Sequence, residues 1–341
     1  MIRSCLFFLV LLGCGTLAAD DQPALRVMTF NIRYGTAPDG ENHWLKRREL
    51  LADTIRQYQP GILGLQECLE SQGEYLHEKL PEYAWHGLGR NRDGSSEMTA
   101  VFYRKDRFAL LQLENFWLSE TPDEPGSMGW DARITRMATR VRLYDRQTGR
   151  RFTLVNTHFD HVGEQAREQS VGVVVRNLSQ CPPPPDEPVL LIGDFNAAAG
   201  QSAPYTAAIS AGFQDAWVQA AERKGPSITF NGFKPVDPGA DNRIDWILYR
   251  GNIEPLVCET VDRSENGRFP SDHFPVFARI EFPLASSACR EMAADCRLAG
   301  QLMLAEGVSR PYGRRKSFVA AAYAPAFGDA APSLVSELVY T

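Results

Sequence analysis

The sequence predicts an α/β protein of the α+β type, in which a two-layered β-sheet is flanked by helices. Short apolar runs typical of strands alternate along the chain with stretches of helical periodicity. Some of the strand-like runs follow one another closely enough to form antiparallel hairpins. The chain has 341 residues, of which 44% are hydrophobic, so it has enough apolar side chains for a core between such layers.

The first predicted elements are a strand, a helix and a second strand. The apolar run 25–32 predicts the first strand. Between residues 42 and 59 apolar side chains recur at helical spacing, and Pro60-Gly61 stops the run. Residues 61–67 again form an apolar run, which predicts a buried strand.

The middle of the chain predicts a hairpin and a helix. Residues 98–103, 137–144 and 151–158 have strand character, and the last two runs are joined by a turn at Gln147-Thr148-Gly149. A helix is predicted over residues 164–178. A run of prolines then forms a stiff loop. The remaining predicted strands are 189–192, 244–249 and 273–282.

Residues 1–19 have the pattern of an export signal. Arg3 precedes a short apolar stretch at 5–12, and Thr16-Leu17-Ala18 supplies small residues for cleavage. The apolar stretch is shorter than the ~20 residues of a membrane-spanning helix. The segment before Cys14 also resembles a lipoprotein signal, so we expect a periplasmic, extracellular or lipid-anchored protein, with membrane contact only through such an anchor.

The sequence predicts one main domain over residues 20–283 and an appendage over 284–341. The appendage is rich in Ala, Ser, Gly and Pro and lacks a strong strand pattern. It contains the basic cluster Arg314-Arg315-Lys316. A poorly ordered tail, a partner-binding tail and a reading-frame artefact all remain open for this segment.

The charge and the cysteine spacing disfavour a nucleic-acid binder and a cysteine-bound zinc site. With 36 basic and 42 acidic residues the net charge is −6, which disfavours a nucleic-acid binder without excluding one. No cysteines have the spacing of a zinc site. Cys289 and Cys296 could form a disulfide in an oxidising compartment, although spacing alone does not establish it.

Polar side chains follow several of the predicted strands. A single carboxylate after a strand is usually a turn residue or a helix cap. Here the pattern recurs, and strand ends in a layered sheet converge on one rim where pockets form. The side chains that share this position are Asn31, Glu67, His158, Asp194, Asn196, Asp245, Asp272 and His273.

The motifs that contain these residues resemble the endonuclease/exonuclease/phosphatase superfamily, which has the deoxyribonuclease-I-like fold. In order they are TFNIR (29–33), LQE (65–67), NTHFDH (156–161), GDFN (193–196), RIDWIL (243–248) and SDHFPV (271–276). The resemblance covers about residues 25–282 and is closest to a secreted bacterial branch. It implies a four-layered α/β/β/α sandwich of two packed, mostly antiparallel sheets flanked by helices.

The resemblance also implies roles for the strand-end residues. Glu67 is expected to bind Mg²⁺ or Mn²⁺, with Asn31 and Asp272 in or near the metal shell, since these ions prefer oxygen ligands.

Asp194 is expected to activate water, and Asn196 to orient it or hold a phosphoryl oxygen. His273, held by Asp245, is expected to contact the scissile phosphate. His158 would donate to the phosphate or to the leaving oxygen; a buried structural role is the alternative.

Several arginines are candidates for binding substrate, because a guanidinium can hold a phosphate through two parallel hydrogen bonds. A surface salt bridge is the ordinary alternative for each. Arg133 and Arg136, near Trp130, are the preferred candidates. Arg33 and Arg47 also qualify. His161 is expected in the loop or in the wall of the substrate site.

These features predict a metal-dependent phosphoester hydrolase, most simply a monomeric phosphodiesterase acting on a small or medium substrate outside the cytoplasm. A phosphomonoesterase of the same kind stays open. A secreted endonuclease or exonuclease on DNA or RNA is the alternative enzyme. A non-catalytic binding module is the alternative outside enzymes, and the complete set of strand-end residues disfavours it.

Overall fold

The computed structural model describes residues 24–185 and 187–283. The strands are β1 Leu25–Asn31, β2 Ile62–Gln66, β3 Tyr83–His86, β4 Val101–Arg104, β5 Phe108–Trp117, β6 Met137–Asp145, β7 Arg151–His158, β8 Val189–Asp194, β9 Gln214–Asp215, β10 Glu222–Lys224, β11 Asp245–Arg250, β12 Glu254–Thr260 and β13 Val276–Glu281. The helices are α1 Trp44–Tyr58, α2 Glu70–Lys79, α3 Glu164–Gln180, α4 Ala203–Ser210 and α5 Ala216–Gln219. A 3₁₀ turn, Gly40–Asn42, precedes α1.

The strands form two sheets. One has the order β10-β12-β13-β1-β2-β4-β3, and the other has the order β5-β6-β7-β8-β11-β9. Most neighbouring strands are antiparallel, and the parallel pairs are β1 with β2, β7 with β8 and β10 with β12. The predicted hairpin is confirmed, because β6 and β7 pair in antiparallel register.

Three apolar clusters hold the layers together. The first lies between the sheets and includes Val27, Leu154 and Ile192. The second lies on the outer face of the first sheet, where Phe30 of β1 packs with side chains of α1 and α2. The third lies under α3 and α4 and includes Trp246. Helices therefore cover the outer faces of two packed sheets, which confirms the predicted α/β/β/α sandwich.

A buried amide pair joins the two sheets close to their polar edge. Gln66 Nε2 donates to Asn156 Oδ1 at 2.6 Å and to Thr29 Oγ1 at 3.0 Å. The Asn156 amide nitrogen donates to backbone carbonyls of the opposite sheet. Gly64 leaves room for this pair, since a Cβ there would lie 2.7 Å from Ile192 Cδ1. Hydrogen bonds between buried amides favour one alignment of the sheets, although Gln66 Oε1 itself has no partner among the described residues.

The structure differs from the predicted elements mainly at the edges. The last strand begins at Val276 rather than at His273, because His273 makes only an isolated bridge to Phe230. The predicted strand 98–103 begins at Val101. The sequence analysis did not identify α2, α4, α5, the edge strands β3, β5, β9 and β10, or strand β12. Their exposed faces weaken the apolar pattern that strand prediction depends on.

Several predictions fall outside the described residues. They are the export signal at 1–19, lipidation of Cys14, the Cys289–Cys296 disulfide and the appendage at 284–341. Within the described residues, Cys68, Cys181 and Cys258 are free thiols. Over the same part of the chain, no helix has the length and apolarity needed to cross a membrane.

Candidate active site

A cleft of about 540 Å³ opens where the polar strand ends meet. It contains most of the side chains that the sequence analysis selected, together with several that it did not. The lining residues are Arg33, Tyr34, Glu67, Glu97, Ile134, Arg136, His158, His161, Asp194, Asn196, Phe230, Ile244, Asp272 and His273.

Sheet topology explains why distant residues meet here. Parallel pairing aligns the carboxyl ends of β1 and β2, so Asn31 lies opposite Gln66, next to Glu67. Parallel pairing of β7 and β8 places His158 opposite Asp194. Because β11 is antiparallel to β8, its first residue, Asp245, pairs with the last residue of β8. Carboxyl ends of parallel strands and the amino end of an antiparallel strand therefore share one edge.

Asp194 lies at the centre of the polar contacts. Its Oδ1 accepts from the Asn196 backbone N–H at 2.9 Å, and its Oδ2 accepts from Asn31 Nδ2 at 2.9 Å. The carboxylate is 1% exposed. Burial and repulsion from Asp245 raise the pKa of Asp194 to about 7. A carboxylate with this pKa is well matched to accepting a proton near neutral pH.

His273 is held as an imidazolium. Its Nδ1 lies 2.9 Å from Asp245 Oδ2, and its Nε2 lies 3.8 Å from Asp194 Oδ2. Burial alone would lower the pKa of His273, but the charges of Asp245 and Asp194 outweigh burial and raise the pKa to about 10. The ring therefore carries a proton at neutral pH and faces the cleft.

The surroundings of His158 lower its pKa, in contrast to those of His273. Burial, followed by the positive charges of Arg136 and Arg90, holds its pKa well below the ordinary value, so the ring is neutral. Its Nε2 lies 3.1 Å from Asn196 Nδ2 and 3.3 Å from Asp194 Oδ2. A neutral ring nitrogen can accept from the amide or donate to the carboxylate, but it cannot do both.

Glu67 lines the cleft, and the fully buried Asn31 lies behind it and links it to Asp194. Asn31 Nδ2 donates to Glu67 Oε1 at 3.1 Å, and the Tyr34 backbone N–H donates to Glu67 Oε2 at 3.1 Å. The Asn31 amide oxygen accepts from the Arg33 N–H. In this arrangement Asn31 orients the Glu67 carboxylate. Glu67 has a left-handed backbone with φ of 56°, which costs on the order of 1–3 kcal/mol and is typical of functional positions.

The donor groups near Glu67 fit a divalent cation. Asp272 also lines the cleft, and its Oδ1 accepts from Ser271 Oγ. Burial and the charge of Glu67 raise the pKa of Asp272, although His273 opposes this. A cation would relieve the repulsion between the two carboxylates, and oxygen donors suit Mg²⁺ or Mn²⁺. Ligand atoms of Asp194, Asp245 and His273 also lie within 4.8 Å of one another, but His273 Nδ1 is already bonded to Asp245.

Two of the predicted substrate-binding arginines lie in the cleft. Arg33 is 28% exposed, and its guanidinium bonds both oxygens of Asp39 and lies 3.7 Å from Asp272 Oδ2. Arg136 is 5% exposed, and its Nε and Nη1 have no hydrogen-bond partner among the described residues. Its Nη2 lies 3.3 Å from His161 Nδ1. Arg136 therefore lies at the wall of the cleft with its guanidinium largely buried, and its Nε is 3.8 Å from Asp160 Oδ2.

The other predicted substrate residues lie elsewhere. Arg133 is exposed and Trp130 is half-buried, packed partly against the cluster under α3, and neither lines the cleft. Proximity in sequence to Arg136 therefore does not bring these side chains to the same wall. Arg47 is fully buried rather than at the surface.

The sequence analysis missed five residues of the cleft. They are Tyr34, Glu97, Ile134, Phe230 and Ile244. Phe230 is 46% exposed with its ring 5.1 Å from that of His273. Tyr34 follows the TFNIR motif directly, which is a signal that could have identified it. Glu97 and Phe230 lie in loops with no strand end nearby in sequence, and only the fold brings them here. His161 lines the cleft, as expected.

The comparison with known proteins agrees with this geometry. Residues 28–273 match the Endonuclease/Exonuclease/phosphatase family. The chain belongs to this family. Its members are metal-dependent phosphoester hydrolases, including nucleases and phosphatases, so the protein is an enzyme of this class.

Two solved bacterial structures resemble the chain. An endonuclease/exonuclease/phosphatase protein of Bacteroides vulgatus is 36% identical with a TM-score of 0.71, covering 76% of this chain and 99% of its own. A mannosyl-6-phosphatase of Bacteroides thetaiotaomicron is 32% identical with a TM-score of 0.70, covering 76% of this chain and 100% of its own. Each alignment covers at least 99% of the solved chain.

The curated relatives are more distant. The 3'-5'-exoribonuclease subunit Ccr4 of the CCR4-Not complex of Emericella nidulans is 22% identical over 371 residues, which cover 82% of this chain and 54% of the relative. The chain therefore spans about half the length of that relative.

Proposed function

We propose that the protein hydrolyses the phosphate ester of a small or medium-sized substrate outside the cytoplasm, using Mg²⁺ or Mn²⁺. The observation that carries this proposal is the position of the Asp194 carboxylate, which lies within 4 Å of ring nitrogens of both His158 and His273. A proton acceptor and two imidazoles around one point of a cleft are the groups that in-line hydrolysis of a phosphate requires.

The proposed reaction starts with proton transfer to Asp194. Water gives a proton to its carboxylate as the water oxygen bonds to phosphorus. The bond from phosphorus to the ester oxygen breaks, and the leaving oxygen takes its electron pair and then the proton that Asp194 removed from the water. His273, already protonated, donates to the oxygens on which charge accumulates. Asn196 Nδ2 lies 3.1 Å from His158 Nε2 and holds the neutral ring at the cleft.

The residues assigned to the metal are Glu67 and Asp272, with Asn31 holding Glu67 in place. A divalent cation held there would neutralise negative charge on the phosphate and on the leaving oxygen. Arg136 has free donors that suit a phosphoryl oxygen. Arg33, engaged with Asp39, has a smaller share of its donors available.

The choice of substrate among small phosphoesters depends mainly on the comparison with known proteins. The sequence analysis favoured a phosphodiester. The likeness to a mannosyl-6-phosphatase over 76% of the chain makes a sugar phosphate monoester the first substrate to test. Exposed Phe230 at the cleft provides an apolar surface beside the phosphate site that a sugar ring could contact.

A nuclease is the second candidate, because the more distant relatives include an exoribonuclease. The net charge of −6 is unfavourable for holding a long polyanion. The two candidates make different predictions about salt. Nuclease activity would fall steeply between 50 and 200 mM salt, whereas hydrolysis of a small ester would change little.

A substrate panel tests the proposal. Purified protein is assayed with p-nitrophenyl phosphate, bis-p-nitrophenyl phosphate, mannose 6-phosphate, DNA and RNA, each with Mg²⁺, Mn²⁺ or EDTA. We expect metal-dependent turnover of a small ester and little cleavage of polymer. Preferential cleavage of DNA or RNA would support the nuclease instead, and no turnover with either metal would support a binding module.

Location outside the cytoplasm rests on the export pattern at residues 1–19 and is tested separately. Expression of the full chain in a bacterium should place activity in the periplasm, the medium or the membrane fraction. Replacement of Cys14 by Ala should release the membrane-bound part if that residue is lipidated. Activity confined to the cytoplasm would contradict the export prediction without affecting the enzymatic one.

A further inference from the structure

Arg47, on the first turn of α1, has a position that neither the fold nor the reaction accounts for directly. Its side chain is completely buried. Every donor group points at a backbone carbonyl rather than at a carboxylate: Nε donates to Asn42 O at 2.9 Å, Nη2 to Arg33 O at 2.9 Å, and Nη1 to Ile32 O and Pro270 O at 2.8 Å each.

These carbonyls belong to segments that carry site residues. Ile32 and Arg33 directly follow Asn31, and Pro270 precedes Ser271 and Asp272. The segments lie more than 200 residues apart in the chain, and the guanidinium bonds both of them with the same nitrogen, Nη1. The rigid planar fork of arginine fixes the relative position of such acceptors.

Strand pairing does not hold the two segments together at this point. The ladder between β1 and β13 ends with Thr29 opposite Val276, before the chain reaches Asn31 on one side and Asp272 on the other. Beyond the ladder, the direct links besides Arg47 are the hydrogen bond from Ser271 Oγ to Asn31 O at 2.7 Å and the approach of Arg33 Nε to Asp272 Oδ2 at 3.7 Å.

Burying an arginine side chain without a carboxylate partner lowers the stability of the folded state. None of the ion pairs in the described part of the chain involves Arg47, and its guanidinium lies 5.3 Å from the Trp44 ring centre and 5.5 Å from that of Phe233. Removing a charge from water without pairing it is costly. A neutral side chain would pack there at lower cost, so simple packing does not explain this residue.

We propose that Arg47 is a positioning residue that fixes the Asn31 segment against the Asp272 segment, and thereby sets the distance between the two sides of the cation site. Arg47 itself does not contact substrate or metal. Asn31 orients Glu67 and Asp272 supplies the second carboxylate, so a shift between their segments separates the donors. This inference rests on the metal assignment of the proposed function.

The test compares Arg47→Lys with Arg140→Lys. Arg140 is also a buried arginine, 7% exposed, but it lies on β6 and bonds Asn177 O and Glu114, away from the cleft. Both substitutions keep the charge and remove the planar fork. Thermal unfolding measures how much stability each substitution costs. Mn²⁺ binding, followed by electron paramagnetic resonance, measures the effect on the cation site and does not depend on activity.

We expect both variants to lose comparable stability, and Arg47→Lys alone to bind Mn²⁺ at least ~10-fold more weakly, as is typical when a residue that supports metal ligands is changed. Equal Mn²⁺ affinity of the two variants and the wild type would overturn the inference. So would an equal loss of affinity in both, because general destabilisation would then explain it.

Ser271→Ala keeps the test decisive if Arg47→Lys does not fold. This small change removes the hydrogen bond from Ser271 Oγ to Asn31 O together with the one to Asp272 Oδ1, so we expect weaker Mn²⁺ binding in the same direction, and wild-type affinity would contradict the inference. The wild-type measurement separates the two proposals. Failure of the wild type to bind Mn²⁺ would contradict the metal-dependent function, whereas binding that is insensitive to both changes would contradict only the role of Arg47.

Discussion

Asp194 and Asp245 are paired residues on neighbouring antiparallel strands, and both carboxylates approach the imidazole of His273. Asp245 bonds one ring nitrogen at 2.9 Å, and Asp194 lies 3.8 Å from the other. One carboxylate therefore balances the imidazolium and the other remains available to take a proton. Two identical side chains acquire different roles from their positions around one ring.

Replacing Asp194 by Asn tests the proton acceptor. An amide cannot take a proton from water, so we expect kcat to fall by at least ~10²-fold, within the range typical of general base catalysis. The fold should persist, because Asn keeps the acceptor for the Asn196 N–H and removes repulsion from Asp245. Steady-state kinetics and thermal unfolding measure both effects. An exposed control, Asp262→Asn, should change neither, and a near-wild-type kcat in Asp194→Asn would remove this residue from the chemistry.

A double-mutant cycle tests whether Asp245 acts through His273. Asp245→Asn and His273→Ala should each lower kcat by at least ~10²-fold. Combining them should add little, since residues that act as a unit are not additive. Rate losses that multiply in the double variant would mean that the two side chains act independently.

Glu67→Gln tests the cation site through stability. A cation that binds only the folded state raises its stability by RT ln(1 + [L]/Kd), so Mg²⁺ should raise the melting temperature of the wild type. Glu67→Gln should need higher Mg²⁺ for the same increase, and EDTA should erase the difference between the proteins. Glu78→Gln, exposed on α2, serves as control. An unchanged Mg²⁺ titration in Glu67→Gln would exclude Glu67 from the site.

Arg136 and Arg133 provide a matched pair for the substrate contact. Arg136 is buried at the cleft wall with free donors, and Arg133 is exposed outside it. We expect Arg136→Gln to lower kcat/KM by ~10-fold or more, the loss typical of a charged hydrogen bond of about 1.5–3 kcal/mol. Arg133→Gln should remain within about twofold of the wild type. The reverse order would restore the assignment that the sequence favoured for Arg133.

The convergence of the strand-end residues could be predicted from the sequence because it follows from topology. Asn31, His158 and Asp194 end strands that are parallel to a neighbour, and such ends share an edge whatever the loops do. The apolar runs of the central strands were also clear. The edge strands were not, because polar residues on an exposed face interrupt the pattern, as Gln112 and Glu114 do in β5.

The electrostatics of the two histidines could not be predicted from the motifs. His158 and His273 both lie in polar motifs of similar appearance, yet the first is neutral beside Arg136 and the second is charged beside Asp245. The difference depends on side chains that are distant in sequence. The same holds for Arg47, whose acceptors come from the beginning and the end of the domain.

The unusual backbone conformations could not be predicted from the sequence either. Glu67 and Asn196 have positive φ angles of 56° and 47°, which propensities of ordinary residues do not predict. Trp130 also has a positive φ, and Arg133 is exposed outside the cleft although it lies three residues before buried Arg136. The sequence order of this loop therefore suggested a joint substrate surface that the structure does not contain.

A crystal structure with Mn²⁺ and a phosphate product or analogue would test the central assignment most directly, using the anomalous signal to locate the metal. We expect the ion on the carboxylates of Glu67 and Asp272, with phosphate oxygens within hydrogen-bonding reach of His158 and His273 and next to Asp194. An ion bound instead among Asp194, Asp245 and His273, or a phosphate outside this cleft, would contradict it.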